Sequence, residues 1–252
     1  MTEHHIGLIV PSSNLTMETE LPRMLRAREA ELPDDRFVFH SSRMRMRHVS
    51  PEQLREMNAQ TERAALELAD ARPDVVASAC LVAIMAQGPG HHCAAEAEIA
   101  EVLRGQGAPT PVVSSAGALL DGLAALGARQ IAVVTPYVRE LTALVCAYIE
   151  DAGVEVVDAL SLEVPDNLAV ARLDPGALLD HWRRLDLRRA DALVLSACVQ
   201  MPSLAAIRPV EEASGLPVLS AATATAYRVL GELGLATRVP GAGRLLSGEL
   251  AG

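Results

Sequence analysis

Short apolar runs alternate with amphipathic stretches along the whole chain, which is typical of strands and helices in a parallel α/β fold. In the first half, four runs are predicted to be strands: 6–10, 37–46, 74–77 and 112–115. Four amphipathic stretches are predicted to be helices: 17–30, 51–71, 94–104 and 118–126. The third of these strands leads directly into Ser78-Ala79-Cys80.

The second half of the chain repeats this pattern. Residues 131–136 match residues 6–11, and residues 217–221 match residues 111–115. Ser196-Ala197-Cys198 matches Ser78-Ala79-Cys80 and also follows an apolar run. The duplication predicts two pseudo-two-fold lobes, each a roughly four-stranded parallel sheet flanked by helices. Their strand ends would face a shared cleft, a usual place for a small-molecule site.

Cys80 and Cys198 therefore occupy equivalent positions, each at the carboxyl end of a buried strand. Parallel α/β sheets place their chemistry at this edge. A nearby helix N-terminus favours a thiolate over a thiol. The pair predicts a two-thiol active site between the lobes.

Two other segments carry simpler predictions. Arg43, Arg45 and Arg47 alternate with methionines, which indicates a half-buried strand with one basic, solvated face. The glycine-containing segment 240–243 is predicted to be a flexible end.

Composition narrows the possible functions. The 252 residues contain 22 basic and 32 acidic side chains, a net charge of −10. This balance disfavours nucleic acid as a partner, because phosphate binding needs a positive surface. No apolar run reaches the roughly 18 residues of a membrane span. The chain starts without a secretory signal pattern, and its four cysteines have no metal-type spacing, so a reducing cytoplasm is expected.

Three segments together resemble the maleate cis-trans isomerases of the aspartate/glutamate racemase superfamily. They are residues 6–14, 80–85 and 198–203, which include Asn14 and both cysteines. The resemblance spans nearly the whole chain, with further matches at 41–46 and 135–137.

The resemblance implies an enzyme that converts maleate to fumarate without a cofactor or a metal. Cys80 would be the nucleophile and Cys198 the partner acid/base. The substrate carboxylates would be held by the side chains of Asn14, Tyr137 and Asn167. They would also be held by backbone amides after each cysteine, those of Leu81, Val82, Val199 and Gln200. The resemblance also implies a homodimer. The repeat predicts an N-terminal lobe of residues 1–115 and a C-terminal lobe of residues 116–221, and the resemblance implies that the C-terminal helix, 222–252, completes the N-terminal lobe.

Other interpretations stay open at this point. Taken alone, Asn14 also suits a helix cap, Asn167 a turn and Tyr137 an exposed aromatic. A two-cysteine amino-acid racemase is the nearest alternative function. A thiol redox sensor or a binding protein is an alternative from a different class.

Overall fold

The computed structural model describes residues 1–250 and contains two four-stranded parallel sheets. The strands of the first sheet are β1 (Thr2–Pro11), β2 (Asp35–Met44), β3 (Val75–Ser78) and β4 (Val112–Ser114). The strands of the second are β5 (Gln130–Thr135), β6 (Glu155–Ser161), β7 (Ala192–Ser196) and β8 (Val218–Ser220). The strand orders, β2-β1-β3-β4 and β6-β5-β7-β8, are equivalent. The predicted pair of duplicated α/β lobes is confirmed.

Helices cover both faces of the sheets. Those of the first half are α1 (Met17–Glu31), α2 (Pro51–Asn58), α3 (Thr61–Ala69), α4 (Leu81–Met85), α5 (His91–Gly105) and α6 (Ser115–Ala125). Those of the second half are α7 (Arg139–Asp151), α8 (Asn167–Ala171), α9 (Leu178–His181), α10 (Leu204–Ser214) and α11 (Ala221–Glu232). No helix within residues 1–250 is both long and apolar enough to cross a bilayer.

Burial explains why these runs form strands. The second half of β1 and all of β3, β5 (after its first residue) and β7 are buried, so their apolar residues pack against helices on both faces. Gly7 lies in the crowded middle of β1, where an added Cβ would come within 3.1 Å of Val76 and 3.2 Å of Pro73. β3 pairs with β1, and β7 pairs with β5, so β3 and β7 are inner strands of their sheets. Cys80 and Cys198 follow these strands and therefore lie at the centre of each sheet's carboxyl edge.

The predicted helix over 51–71 is wrong as a single element. It divides into α2 and α3, with Ala59 and Gln60 between them. At the break, the half-exposed Gln60 side chain binds the backbone of Arg45 and of Glu56. A short helix, α4, was not predicted and begins directly after Cys80.

The prediction of a flexible end at 240–243 is also wrong. Ala242 and Val239 are buried, and the Val239 N–H donates to the Leu246 carbonyl over 2.8 Å. The preceding helix, α11, packs against α1 and α6 and against β3 and β4 of the first sheet. The boundaries of the lobes, at 1–115 with 222–252 and at 116–221, stay a prediction.

Candidate active site

Both cysteines of the duplicated motif line one cavity at the junction of the two sheets. Cys80 is the residue before α4, and Cys198 follows β7 in a turn that leads to α10. Both side chains are buried, and the thiols are close enough that Cys198 contributes to the raised pKa of Cys80. The structure therefore places the two sulfurs in a common site, as the duplication predicts.

The structure also brings every other predicted site residue to this cavity. Its lining contains all nine: Asn14, Cys80, Leu81, Val82, Tyr137, Asn167, Cys198, Val199 and Gln200. Sequence reasoning missed four further lining residues: Pro11, Met46, Val49 and Ala79. Three of these are within the matched segments or next to Cys80, whereas Val49 carries no signal in the sequence. The catalytic and binding roles of these residues stay predictions.

Two effects act in opposite directions on the thiolate expected at Cys80. The backbone N–H of Ala83, in the first turn of α4, does lower the pKa of Cys80. Burial has the larger effect and raises that pKa to about 12, because a closed apolar cavity disfavours the charged form. Burial likewise raises the pKa of Cys198, although hydrogen bonds from Tyr137 and from the N–H groups of Gln200 and Met201 lower it.

Asn14 serves both as a helix cap and as part of the cavity wall. Its Oδ1 accepts hydrogen bonds from the backbone N–H groups of Thr16 and Met17, each over 2.9 Å, at the start of α1. These bonds fix the amide group, and its Nδ2 then remains as the donor side. The two interpretations of Asn14 are thus compatible.

Gln200 ties the two lobes together beside Cys198. Its side-chain Nε2 donates to the carbonyls of Ser13, over 2.7 Å, and Asn167, over 2.8 Å. Its Oε1 accepts from the Leu15 N–H over 2.9 Å. The prediction used only its backbone amide, whose N–H lies 3.4 Å from the Cys198 sulfur. The side chain makes the junction around the cavity rigid.

Asn167 and Tyr137 reach the cavity from the C-terminal lobe, and both are buried. Asn167 is the first residue of α8, which Asp166 caps, and its Nδ2 donates to the Ser13 hydroxyl over 2.7 Å. The Tyr137 hydroxyl lies beside Cys198, and burial raises its own pKa well above the ordinary value. Tyr137 is therefore a neutral hydrogen-bond donor and not an exposed aromatic.

Arg43 is exposed, in agreement with the predicted solvated basic face, and it also binds the neighbouring loop. Its guanidinium donates to the carbonyls of Ser12, over 3.0 Å, and Asn14, over 2.8 Å, and pairs with Glu18. It therefore supports the loop that presents Asn14. Arg45 and Arg47 are exposed, in agreement with the prediction.

The cavity is closed. Its volume is about 20 Å³, which is room for about one water molecule. Met46 and Val49 cover it from the segment between β2 and α2, and His48 of that segment forms a β-bridge with Asp166 of the other lobe. A four-carbon dicarboxylate is larger than this space, so its binding requires the cover to move.

The lining is neutral. Its described residues include no acidic and no basic side chain, and its polar groups are amides, thiols and one phenol. The first N–H groups of α4 have no acceptor within the helix, so they add donors on the Cys80 side. Such neutral donors stabilise carboxylate charge without a fixed counter-ion.

Known proteins are similar to this chain over nearly its whole length. The model of a family described as arylmalonate decarboxylase matches residues 6–246. A maleate isomerase of Geobacillus stearothermophilus is 56% identical over 250 residues, which cover 99% of this chain and 100% of that protein.

Solved structures show the same similarity. The maleate isomerase Iso from Pseudomonas putida S16, crystallised with maleate as a cysteine-to-alanine variant, has a TM-score of 0.97 and 52% identity over 99% of both chains. A cysteine-to-serine variant of the Nocardia farcinica maleate cis-trans isomerase has a TM-score of 0.94 and 51% identity, covering 98% of this chain and 99% of that one. That variant carries a covalently bound succinylcysteine intermediate.

Proposed function

The chain belongs to the maleate isomerase family, and we propose on that basis that it isomerises maleate to fumarate through a covalent adduct on Cys80. The observation that carries the proposal is the pair of buried thiols in one neutral cavity. The succinylcysteine found in the Nocardia farcinica variant supports the same chemistry here.

The double bond of maleate must become a single bond before it can rotate. In the proposed reaction, the Cys80 sulfur bonds to one alkene carbon while the π bond breaks, and the other alkene carbon receives a proton from Cys198. The Cys80 proton passes to Cys198, so the net change is the addition of one S–H across the double bond. After rotation about the new single bond, the steps reverse: the S–C bond breaks, the π bond forms again and the proton returns.

Net addition of a neutral S–H suits this cavity. Burial raises the pKa values of both thiols, so a route that leaves no separate thiolate avoids the main electrostatic cost of the closed site. Charge that builds up on the substrate carboxylate would be met by the amides of Asn14 and Asn167 and by the first N–H groups of α4. Removing one such donor typically costs about 3 kcal/mol of transition-state stabilisation.

The test is direct. Incubation of the protein with maleate, followed by proton NMR of the alkene signals, is expected to show fumarate. Cys80→Ala is expected to abolish turnover while circular dichroism stays native. Cys93→Ser is the matched control, because Cys93 is an exposed cysteine outside the cavity lining. No fumarate from the wild type, or full activity in Cys80→Ala, would refute the proposal.

Mass spectrometry of quenched reactions locates the adduct. We expect an increase equal to one maleic acid on the peptide that carries Cys80. In Cys198→Ser this adduct is expected to form and to disappear more slowly, since the variant lacks the group that gives and regains the proton. An adduct on Cys198 instead would reverse the assigned roles. Conversion of D- or L-amino acids would favour the racemase alternative, which the absence of an acidic residue among the described lining residues disfavours.

We also propose that the protein is a homodimer that works in the cytoplasm. The resemblance supports the dimer, and the four free cysteines of the described chain suit a reducing compartment. Light scattering coupled to size-exclusion chromatography tests the dimer, and a molar mass of one chain would contradict it.

A further inference from the structure

A buried carboxylate outside the cavity joins the two lobes. Glu20 is in α1 of the N-terminal lobe, and it is 8% exposed. Its Oε1 accepts hydrogen bonds from the backbone N–H groups of Ser203, over 2.8 Å, and Leu204, over 2.7 Å. Its Oε2 accepts a longer bond, of 3.4 Å, from the Ser203 hydroxyl. These donors begin α10, so a side chain of one lobe caps a helix of the other.

This cap replaces one that α10 lacks. Ser203 precedes the helix but makes no capping bond with its own side chain. By contrast, α8 and α11 are capped locally, by Asp166 and Ser220. A carboxylate also interacts favourably with the positive end of a helix. The start of α10 therefore depends on Glu20.

The capped end of α10 is also the end of the loop that carries Cys198. Residues 198–203 connect this cysteine to the helix, and the N–H groups of Gln200 and Met201 both lower the pKa of the Cys198 thiol. The middle of the loop is also bound, since the hydroxyl of Thr16, the residue before α1, donates to the Gln200 carbonyl over 2.6 Å. Thr16 and Glu20 thus hold the loop at two points.

We infer that Glu20 is a positioning residue for Cys198, acting through the 198–203 loop without contact with the cavity. The inference rests on the proposed function, in which Cys198 exchanges a proton with a substrate carbon. Proton transfer requires donor and acceptor within hydrogen-bond distance, and a displacement of about 1 Å can cost about 10²-fold in rate. A shift of the loop would therefore appear in kcat.

The test compares two substitutions of similar size. Glu20→Met removes the acceptor and fills the same volume, whereas Glu20→Gln keeps a carbonyl oxygen that can accept from both N–H groups. We expect kcat of Glu20→Met to fall about 10²-fold with little change in KM, since Glu20 contacts no group that faces the substrate. Glu20→Gln is expected to restore most of kcat. If Glu20→Met does not fold, Glu20→Ala gives the same comparison.

A second measurement does not depend on turnover. Alkylation by iodoacetamide, read by peptide mass spectrometry, is expected to become faster at Cys198 in Glu20→Met while Cys80 changes little. Tyr148→Phe is the matched control, because the Tyr148 hydroxyl of α7 makes the reciprocal contact between lobes, accepting from the His92 N–H over 3.1 Å on the Cys80 side. It is expected to leave Cys198 alkylation unchanged.

The outcomes are distinct. Wild-type kcat and wild-type Cys198 alkylation in a folded Glu20→Met would overturn the inference, and so would equal losses in Glu20→Met and Glu20→Gln. Failure of the wild type to isomerise maleate would instead remove the proposed function. The alkylation comparison would still decide whether Glu20 positions the Cys198 loop.

Discussion

We expect Cys80 to rest as a protonated thiol in the closed site at neutral pH. Burial raises the pKa of this thiol from an ordinary value of 9.0 to about 12. The difference, 12 − 9.0, is about 3 units and corresponds to about 4 kcal/mol against the charged form. At neutral pH, the closed site then holds about 10³-fold less thiolate than a freely exposed cysteine would. The N–H group of Ala83 reduces this penalty but does not cancel it.

The assay is the pH dependence of alkylation by iodoacetamide, with the exposed Cys93 as an internal comparison. Because only the thiolate reacts, the rate at Cys80 is expected to rise about tenfold per pH unit and to continue rising beyond about pH 9. The same pH dependence is expected if the reagent enters only after the cover opens, because the closed form keeps Cys80 as a thiol and so lowers the amount of thiolate that can react. At neutral pH, Cys80 is expected to react far more slowly than Cys93.

One result would refute the reasoning. If the rate at Cys80 reaches a plateau at or below about pH 8, the resting nucleophile is a thiolate, and the helix N-terminus has outweighed burial. Addition of a neutral S–H would then lose its physical basis, and attack by a preformed thiolate would replace it. The Cys198→Ser variant serves as a control: because burial is the larger cause and the second thiol the smaller one, the rate at Cys80 is expected to keep rising beyond about pH 9 in this variant as well.

Three further predictions concern side chains of the site. Asn14→Ala loses both the helix cap and the amide donor, so activity is expected to fall about 10²-fold and stability by about 1 kcal/mol. Wild-type stability of this variant in urea unfolding would contradict the capping role. Gln200→Leu leaves three backbone groups without their hydrogen-bond partner. At about 1 kcal/mol each, this predicts that the free energy of unfolding, measured in urea, falls by about 3 kcal/mol. A decrease below about 1 kcal/mol would contradict this reasoning. Because the pKa of Cys80 is raised, the folded chain binds more protons than the unfolded chain between about pH 9 and 12. The free energy of unfolding therefore falls as pH rises through that window, and this thiol has no effect on it at lower pH. Cys80→Ser is expected to lose this contribution, which amounts to about 1 to 2 kcal/mol at about pH 10.

The duplicated architecture was predictable because it is encoded in local patterns. Fully buried parallel strands appear as continuous apolar runs, and both halves of the chain contain them in the same order. The repeated Ser-Ala-Cys segment then fixes the position of each cysteine at a strand end. These signals need no knowledge of how the two lobes pack together.

The elements that were predicted wrongly depend on tertiary contacts. At the break between α2 and α3, Gln60 binds the backbone of Arg45, which lies in the predicted strand before this helix. Segment 240–243 has the composition of a loose end but packs with its neighbours, where Leu245 and Leu246 are fully buried. Hydrophobic periodicity carries no information on either contact.

The site was predictable as a set of residues but not as a hydrogen-bond network. The motifs place Asn14, Gln200 and Asn167 at the cleft, yet the side chain of Gln200 binds backbone groups 187 and 33 residues away. The contacts of Arg43 and Glu20 are equally non-local, since they depend on how α1 meets β2 and α10. Alternating charges in the sequence predict only which side of a strand is charged, not which groups that side binds.

The two cysteines are equivalent by duplication, and their surroundings make them different. Cys80 is followed at once by a helix. The Ala83 N–H is directed at the Cys80 sulfur, whereas the earlier N–H groups, of Leu81 and Val82, have no acceptor within the helix and could receive a substrate carboxylate. Cys198 is followed by a turn, and its sulfur has the Tyr137 hydroxyl and the Gln200 N–H beside it. Donors directed at a sulfur stabilise its conjugate base, which suits a group that gives and regains a proton. Donors left for the substrate suit the nucleophile, so the different surroundings of the two cysteines support the roles that we propose for them.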